Sequence, residues 1–321
     1  DQYFYNLYWK SSFILVGTPS GITLSPEGAQ HGWKSDFQIP NQITWEPFYC
    51  QELDWILCES VRRHIFNENE GRTGVLIRGV TRGIEQKDLP MLLKRQLRFK
   101  ADKNATLCRA EFPLQGATVE SEISAMDEAS IMETLRQEVL KGAYYLIDYR
   151  GYAGYEPGDN VVNIISMGSP TTEAIKASEA LLSRGIYANV IVITSPDLVC
   201  GIQAHHDDYQ YLKQGLGINN HLYVHPTEAM NGHEFVTVAG RRVPIVSVHD
   251  GEAGLLDNLG SIIGVRQESL AVRKHSKCGR PVDIYSYHGI DWESIVEASG
   301  KVLSETALEQ VKVSQSVLGE A

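Results

Sequence analysis

Short apolar runs alternate along the chain with segments of helical periodicity, and this alternation limits the fold more than any other sequence feature. The apolar runs have the length of buried strands: SFILVG (12–17), TGVLI (73–77), VVNIISM (161–167), ANVIVIT (188–194) and VPIVSVH (243–249). Between them, residues 51–67 and 170–184 place apolar side chains at the spacing of one helix face. Repeated strand, helix, strand units with apolar strands are typical of mainly parallel sheets covered by helices. The sequence therefore predicts an α/β fold of three-layer units.

The chain length indicates two domains. A chain of 321 residues is longer than one hydrophobic core usually supports. The segment DYRGYAGYEPGDN (148–160) is rich in glycine, tyrosine and turn residues and is predicted to be the linker. We therefore expect domains at 1–150 and 151–321. Helices are also predicted over 127–145, 292–302 and 305–317, whereas 85–125 has no clear pattern.

Composition narrows the class of partner. The net charge is -11, with no clustered Lys/Arg stripe to bind nucleic acid or an anionic membrane. The five cysteines form no CxxC pair, which indicates reduced thiols. No apolar run is long enough to span a membrane, and no signal-like amino terminus appears. We expect a cytoplasmic protein that binds a small molecule or another protein.

The loop GITLSPEGAQHGWKSD (21–36) is the first candidate site. It is long and irregular and follows a buried strand, and such loops inside compact domains are usually functional. If it lies at the carboxyl edge of the sheet, His31 is well placed to exchange a proton with a substrate oxygen near neutral pH. A structural or surface histidine is the alternative that the residues alone leave open.

Other polar groups carry weaker signals. Adjacent side chains in His205-His206-Asp207-Asp208 point in different directions, so a solvated loop is favoured over a metal site. His221 and His225 are followed by Pro226 and have no third ligand at a fixed spacing. The turns at 166–169 and 249–252 lack the glycine spacing of nucleotide-binding loops and are predicted to be ordinary turns. No G-x-S-x-G motif supports a covalent hydrolase.

Three motifs around the first loop resemble a known family. They are Pro26-Glu27-Gly28-Ala29-Gln30-His31, Ile39-Pro40-Asn41 and Pro47-Phe48-Tyr49. In this order they are similar to the pyrimidine-binding domain of the homodimeric-type pyruvate dehydrogenase decarboxylating component, a thiamine-diphosphate enzyme of the transketolase superfamily. The second half resembles the family's carboxyl-terminal domain through residues 161–198, VHPTE (224–228) and CGRPVDIYSYHGID (278–291). The resemblance implies a transketolase-like pyrimidine-binding domain followed by a transketolase carboxyl-terminal domain.

The same resemblance implies roles for four residues. His31 matches the catalytic loop histidine that faces substrate and the covalent intermediate, where it transfers protons or stabilises an alkoxide. Glu27 falls near the acid that transketolases direct at a sugar hydroxyl, and Gln30 is a candidate for the same substrate-binding wall. Arg82 falls roughly where transketolases hold a sugar phosphate, with two extra residues in the alignment.

Cofactor and partners also follow from the resemblance. The family binds thiamine diphosphate and Mg²⁺ across a dimer interface, with the metal and the diphosphate on another domain. Residues 1–17 align after the family's activating glutamate and its stacking aromatic residue, so no metal ligand is expected in this chain. We expect the chain alone to be inactive and to work in a homodimer of a longer enzyme or with a companion subunit.

The motif Gly-Ala-Gln-His, in place of the Gly-Pro-Thr-His of transketolases, favours the 2-oxo acid dehydrogenase branch. The expected enzyme is an oxidoreductase component that decarboxylates a 2-oxo acid, pyruvate first, and hands the acyl group to a lipoyl acyltransferase. A transketolase-like ketol transferase is one alternative. A non-catalytic subunit that retains the fold is the other.

Overall fold

The computed structural model describes residues 5–6, 9, 13–20, 42–66, 74–80, 82–100, 126–218 and 242–318. The described strands are β1 (Ile14–Ser20), β2 (Gln42–Trp45), β3 (Gly74–Val80), β4 (Ala143–Ile147), β5 (Val161–Met167), β6 (Tyr187–Ile193), β7 (Ile245–Glu252) and β8 (Gln267–Val272). The longer helices are α1 (Cys50–Phe66), α2 (Asp88–Arg95), α3 (Glu128–Val139), α4 (Thr171–Leu182), α8 (Pro281–His288) and α9 (Trp292–Leu318). Shorter helical segments are α5 (Pro196–Val199), α6 (Ile202–His206), α7 (Leu259–Ile263), a 3₁₀ turn at Leu97–Phe99 and a π turn at Tyr211–Gly215.

The strands form two sheets. In the first, β1 and β2 lie on either side of β3, and both pair with it in parallel. The second has the order β4-β6-β5-β7-β8, with β4 antiparallel and the other strands parallel. The predicted α/β fold with two mainly parallel sheets is therefore confirmed.

Apolar packing joins the two sheets. The larger hydrophobic cluster includes Trp45 and Ile77 of the first sheet, Ile164 and Val248 of the second, and Val302 of α9. A smaller cluster, with Ile165 and Ile191, lies on the other face of the five-stranded sheet. Consecutive β5 residues fall in different clusters because strand side chains alternate between faces. Both faces of the second sheet are thus buried, which accounts for its continuous apolar runs.

Local chemistry sets several helix ends. The Asp127 carboxylate accepts the backbone N–H of Ser130 at 3.0 Å and caps α3. Gly264 and Gly289, with φ of 82° and 67°, end α7 and α8 in the left-handed conformation that glycine adopts without steric cost. Pro281 begins α8, where its missing N–H leaves no hydrogen bond unmade.

Three predicted helical regions differ from the structure. The helix predicted over 127–145 ends at Val139, and 143–147 is the buried strand β4. Gly142 breaks the helix with φ of +106°, and a Cβ on it would lie 2.9 Å from Leu198. The two predicted carboxyl-terminal helices are one helix, α9. Helices α2 and α8 have no counterpart in the prediction.

Residues 148–160 form turns, as expected for a connecting segment. The predicted domain division at 150/151 stays a prediction, although one strand from before residue 151 belongs to the second sheet. Strand β4 precedes residue 151 and yet pairs with β6 in the second sheet. Within the described part of the chain, no helix has both the length and the apolar character needed to cross a membrane.

Candidate functional site

The carboxyl edges of the two sheets meet. The Thr44 N–H near the end of β2 donates to Asp197 Oδ2 at 2.6 Å, and the Glu46 N–H donates to the Thr194 carbonyl, just after β6, at 2.8 Å. Ligands of open α/β sheets usually bind at the carboxyl ends of strands. We call this junction the inter-sheet seam; its polar residues are Glu46, Arg82, Ser169, Glu173, Asp250 and Tyr285.

Arg82 connects the first sheet to helices of the second. Its Nη2 lies 3.5 Å from Oε1 of Glu173, a carboxylate whose side chain is only 3% exposed. Its guanidinium lies 5.3 Å from the ring centroid of Tyr285. Lys176 Nζ lies 3.0 Å from the same Glu173 oxygen. The buried Glu173 charge is therefore shared between two cations, one of which comes from across the seam.

Tyr285 is buried where α8 meets the seam. Burial, followed by the Asp250 carboxylate, raises the pKa of Tyr285 well above its ordinary value, while hydrogen bonds with Ser169 and Arg82 oppose the rise. The phenol is therefore neutral at physiological pH.

Glu46 reaches the turn between β5 and α4. A Cβ on Gly168 would lie 2.0 Å from Glu46 Oε1 and 3.5 Å from Asp250 Oδ1. Glu46 and Asp250 are both almost wholly buried. Two carboxylates therefore lie close to the Gly168 turn, and this approach requires a residue without a side chain.

Another buried carboxyl, that of Glu52, lies behind the seam in the first turn of α1. Glu52 accepts the backbone N–H of Phe48 at 2.7 Å and the Tyr144 hydroxyl of β4 at 2.5 Å. Burial raises the pKa of Glu52 to about 7, although the hydrogen bonds from Tyr144, Phe48 and Tyr49 lower it. This contact fixes the start of α1 against the second sheet.

His249, at the end of β7, is neutral and structural. Its Nδ1 accepts the Gly251 N–H at 3.2 Å, and the ring is fully buried. Burial is the main cause that lowers its pKa to about 4. The prediction of an ordinary turn at 249–252 is wrong, because these residues are the irregular last part of β7, where this hydrogen bond spans Asp250.

The predicted site residues are only partly within the described chain. Glu27, Gln30 and His31 lie outside the described residues, as do His221 and His225. Strand β1, which leads into residues 21–41, ends at Ser20 paired with Val80, two residues before Arg82. The structure thus brings the end of β1 and the Arg82 segment to the same sheet edge, which faces the second sheet.

The loop predicted at 205–208 is partly wrong, because His205 and His206 are exposed residues at the end of helix α6. Asp208 follows this helix and pairs with Lys213 at 3.0 Å. No group of three or more His, Cys, Asp and Glu side chains in the described segments could hold a metal ion.

Several seam residues were not found from sequence. Glu46, Glu173 and Tyr285 come from three separate segments, so no short motif contains them. Glu46 did carry a signal, because it is an acid directly after a buried strand. Glu173 lies within a predicted helix and looked like an ordinary helix position, whereas the helix that carries Tyr285 was not predicted.

Solved structures with a similar fold include transketolases. A split-gene transketolase, solved as an inactive β4 tetramer, matches 94% of this chain and 72% of its own, with TM-score 0.54 and 14% identity. Two mutant forms of the transketolase from Pichia stipitis match with TM-scores of 0.51 and 0.50 at 12% and 13% identity. These matches include 92% and 90% of this chain, but the chain spans only 30% and 29% of the length of the two transketolases.

No protein-family model and no curated protein sequence matches the chain. At this level of identity the structural similarity is one of fold. The chain has the α/β fold of the pyrimidine-binding and carboxyl-terminal domains of transketolase-superfamily enzymes.

Replacing Arg82 by alanine tests what this side chain does at the seam. We expect Arg82→Ala to lower the free energy of unfolding by about 1–2 kcal/mol, because the buried Glu173 carboxylate loses one of its two cations. Arg62→Ala is the control, since Arg62 is exposed and pairs with Glu59 along one helix; about 0–0.5 kcal/mol is expected there. Denaturant unfolding measures both. Equal stability of Arg82→Ala and the wild type would show that the buried Glu173 carboxylate does not depend on Arg82.

Proposed function

We propose that this chain forms the pyrimidine-side and carboxyl-terminal part of a thiamine-diphosphate-dependent enzyme that breaks a carbon–carbon bond next to a carbonyl group. One observation carries the proposal: β1, which leads into the loop containing His31, ends at the sheet edge that faces the second sheet. The transketolase-like fold and the order of the loop motifs support it independently.

Within this proposal the chain's own residues bind and position substrate. His31 holds or transfers a proton at the substrate oxygen, with Glu27 and Gln30 on the same wall. Arg82, 22% exposed at its side chain, reaches the seam from the adjacent strand end. Thiamine diphosphate supplies the nucleophilic carbon and the electron sink when bound.

The donor set at the seam fits a substrate-side wall and not a metal–diphosphate cradle. Its described groups are the Arg82 guanidinium, the Tyr285 phenol and the two carboxylates beside the Gly168 turn, which belong to Glu46 and Asp250. A diphosphate would be repelled by Glu46 and Asp250 there. We therefore assign Mg²⁺ and the diphosphate to another domain or subunit of the complete enzyme.

Two reactions are candidates, each with its own support. Transketolases are among the similar solved structures, which supports ketol transfer between sugar phosphates. The Gly28-Ala29-Gln30-His31 loop favours decarboxylation of a 2-oxo acid, pyruvate first, with acyl transfer to a lipoyl acyltransferase. The split-gene transketolase supports a companion subunit as the source of the remaining site.

The complete enzyme, isolated with any chain that copurifies, decides between the reactions. With thiamine diphosphate and Mg²⁺ added, release of CO₂ from carboxyl-labelled pyruvate identifies the decarboxylase. Consumption of a ketose phosphate that depends on an aldose acceptor identifies the ketol transferase. Neither activity, together with no binding of the cofactor, would leave a non-catalytic subunit and reject the proposal.

Replacing His31 by alanine in the complete enzyme tests the assigned catalytic residue. Because His31 is proposed to move a proton during the reaction, we expect kcat to fall by about 10²-fold. The melting temperature and the cofactor affinity are expected to stay unchanged. His206→Ala is the matched control, since the His206 side chain is exposed and is not one of the seam residues. Equal turnover in the His31→Ala and wild-type enzymes would rule out the role.

A further inference from the structure

A compact group of positive charges lies between β8 and α8, outside the seam. The loop RKHSKCGR (273–280) contains five basic residues and no acid, in a chain whose net charge is -11. Lys274 Nζ lies 3.7 Å from the ring centroid of Tyr287, and Lys277 Nζ lies 3.9 Å from the same centroid. One aromatic ring therefore gathers two exposed ammonium groups that would otherwise repel each other.

The loop around these lysines is held in place by α8. The Tyr287 hydroxyl donates to the His275 carbonyl at 3.4 Å, and His288 Nε2 lies 3.0 Å from the oxygen of the buried Ser276 side chain. His288 Nδ1 is buried and has no hydrogen-bond partner among the described residues. A buried polar atom without a partner is uncommon and calls for an explanation.

The lysine charges are balanced only in part, because Asp283, whose pKa is lowered first by Arg280 and then by Lys277, lies near one of them. The nearby carboxylates form ion pairs with arginines: Asp257 lies 3.9 Å from Arg273, and Asp283 lies 2.8 Å from Arg280. Within the described segments no carboxylate lies at ion-pair distance from Lys274 or Lys277. Burial, then Lys274 and Lys277, lowers the pKa of His288. Both lysines therefore act on one imidazole with positive potential.

We propose that Lys274, Lys277, Tyr287 and His288 form a binding site for a small phosphorylated anion. Two lysine ammonium groups on one ring supply point charges for a phosphoryl group, and the His288 ring lies beside them, with its centroid 4.9 Å from that of Tyr287. Asp257 and Asp283 flank the site. They repel a long polyanion or an acidic protein segment, whereas a single phosphoryl group fits between them.

Isothermal titration calorimetry with pyrophosphate and with inorganic phosphate, at constant ionic strength, tests the site. We expect Lys274→Gln/Lys277→Gln to weaken binding at least about tenfold, because both charges that face the anion are lost. The control is Lys213→Gln/Lys301→Gln, which also removes two positive charges. Both of those lysines are paired with carboxylates, Asp208 at 3.0 Å and Glu268 at 2.8 Å. The control is expected to bind as the wild type does.

His288 gives a second readout. Its ring titration, followed by NMR and assigned with a His288→Gln variant, is expected to shift to higher pH when pyrophosphate binds, because the anion offsets the lysine charges. No binding, or equal weakening in both double variants, would overturn the proposal. Tighter binding of poly-L-glutamate than of pyrophosphate, lost in the Lys274→Gln/Lys277→Gln variant, would also overturn it in favour of an acidic protein partner. Neither outcome depends on the proposed enzyme activity.

Discussion

Replacing Glu52 by alanine is expected to lower the free energy of unfolding by about 4 kcal/mol, because two buried donors lose their acceptor. These donors are the Phe48 N–H and the Tyr144 hydroxyl, which bind the two oxygens of a carboxyl group that is fully buried. Their contact also joins α1 to β4 of the second sheet. Denaturant unfolding at pH 5 measures the loss.

Glutamine at the same position separates charge from hydrogen bonding. The Glu52 pKa is raised from 4.5 to about 7. Between these values the folded state keeps a proton that the unfolded state releases, so stability falls as pH rises through this window. The stabilisation from the protonated Glu52 is fully present below pH 4.5 and is lost as pH rises to about 7. Above pH 7 the folded state is therefore about 3 kcal/mol less stable than below pH 4.5. Glu52→Gln removes this titration, since its amide oxygen accepts from Phe48 and its NH₂ donates to the Tyr144 oxygen.

The measurement is the difference in unfolding free energy between the wild type and Glu52→Gln from pH 4.5 to pH 8. As pH rises over this range, we expect the unfolding free energy of Glu52→Gln to increase by about 3 kcal/mol relative to that of the wild type. Asp54→Asn is the control in the same helix, because Asp54 is exposed. A pH-independent difference for Glu52→Gln would show that the carboxyl is not held in the neutral form.

The second large effect is expected at Gly168. Gly168→Ala places a Cβ 2.0 Å from Glu46 Oε1, at a position whose φ is +65°. The left-handed backbone alone costs about 1–2 kcal/mol for an alanine. Glu46 is fully buried and has little room to move, so displacing it adds to that cost. We expect a total loss of at least about 3 kcal/mol in unfolding free energy.

Gly185→Ala isolates the backbone part of this effect. Gly185 follows α4, has φ of +80°, and a Cβ there would meet nothing within 4 Å. Gly185→Ala is expected to lower the free energy of unfolding by only about 1–2 kcal/mol. Denaturant unfolding of both variants gives the comparison. If the two losses are equal, the Glu46 carboxylate does not lie against the Gly168 turn as described.

Periodicity in the sequence was enough to find most strands and the longer amphipathic helices, and with them the α/β class. Apolar runs such as VVNIISM fit only a sheet covered on both faces, so residue order alone indicates a parallel sheet. The same reasoning was wrong for 143–147, because AYYLI continues the apolar pattern of the preceding helix. The left-handed Gly142 and burial on both sides make that segment a strand.

The candidate site was only partly accessible from sequence. The loop with His31 and the position of Arg82 after a strand could be recognised locally, and the roles of His31, Glu27 and Gln30 remain predictions. The partners at the seam could not be recognised, because Arg82 and Glu173 are 91 residues apart and Glu52 and Tyr144 are 92. Local periodicity fixes which residues are buried, but the order of strands in a sheet decides which distant residues meet. The sequence by itself therefore determined the elements and their buried faces, and the tertiary structure decided the contacts across the seam.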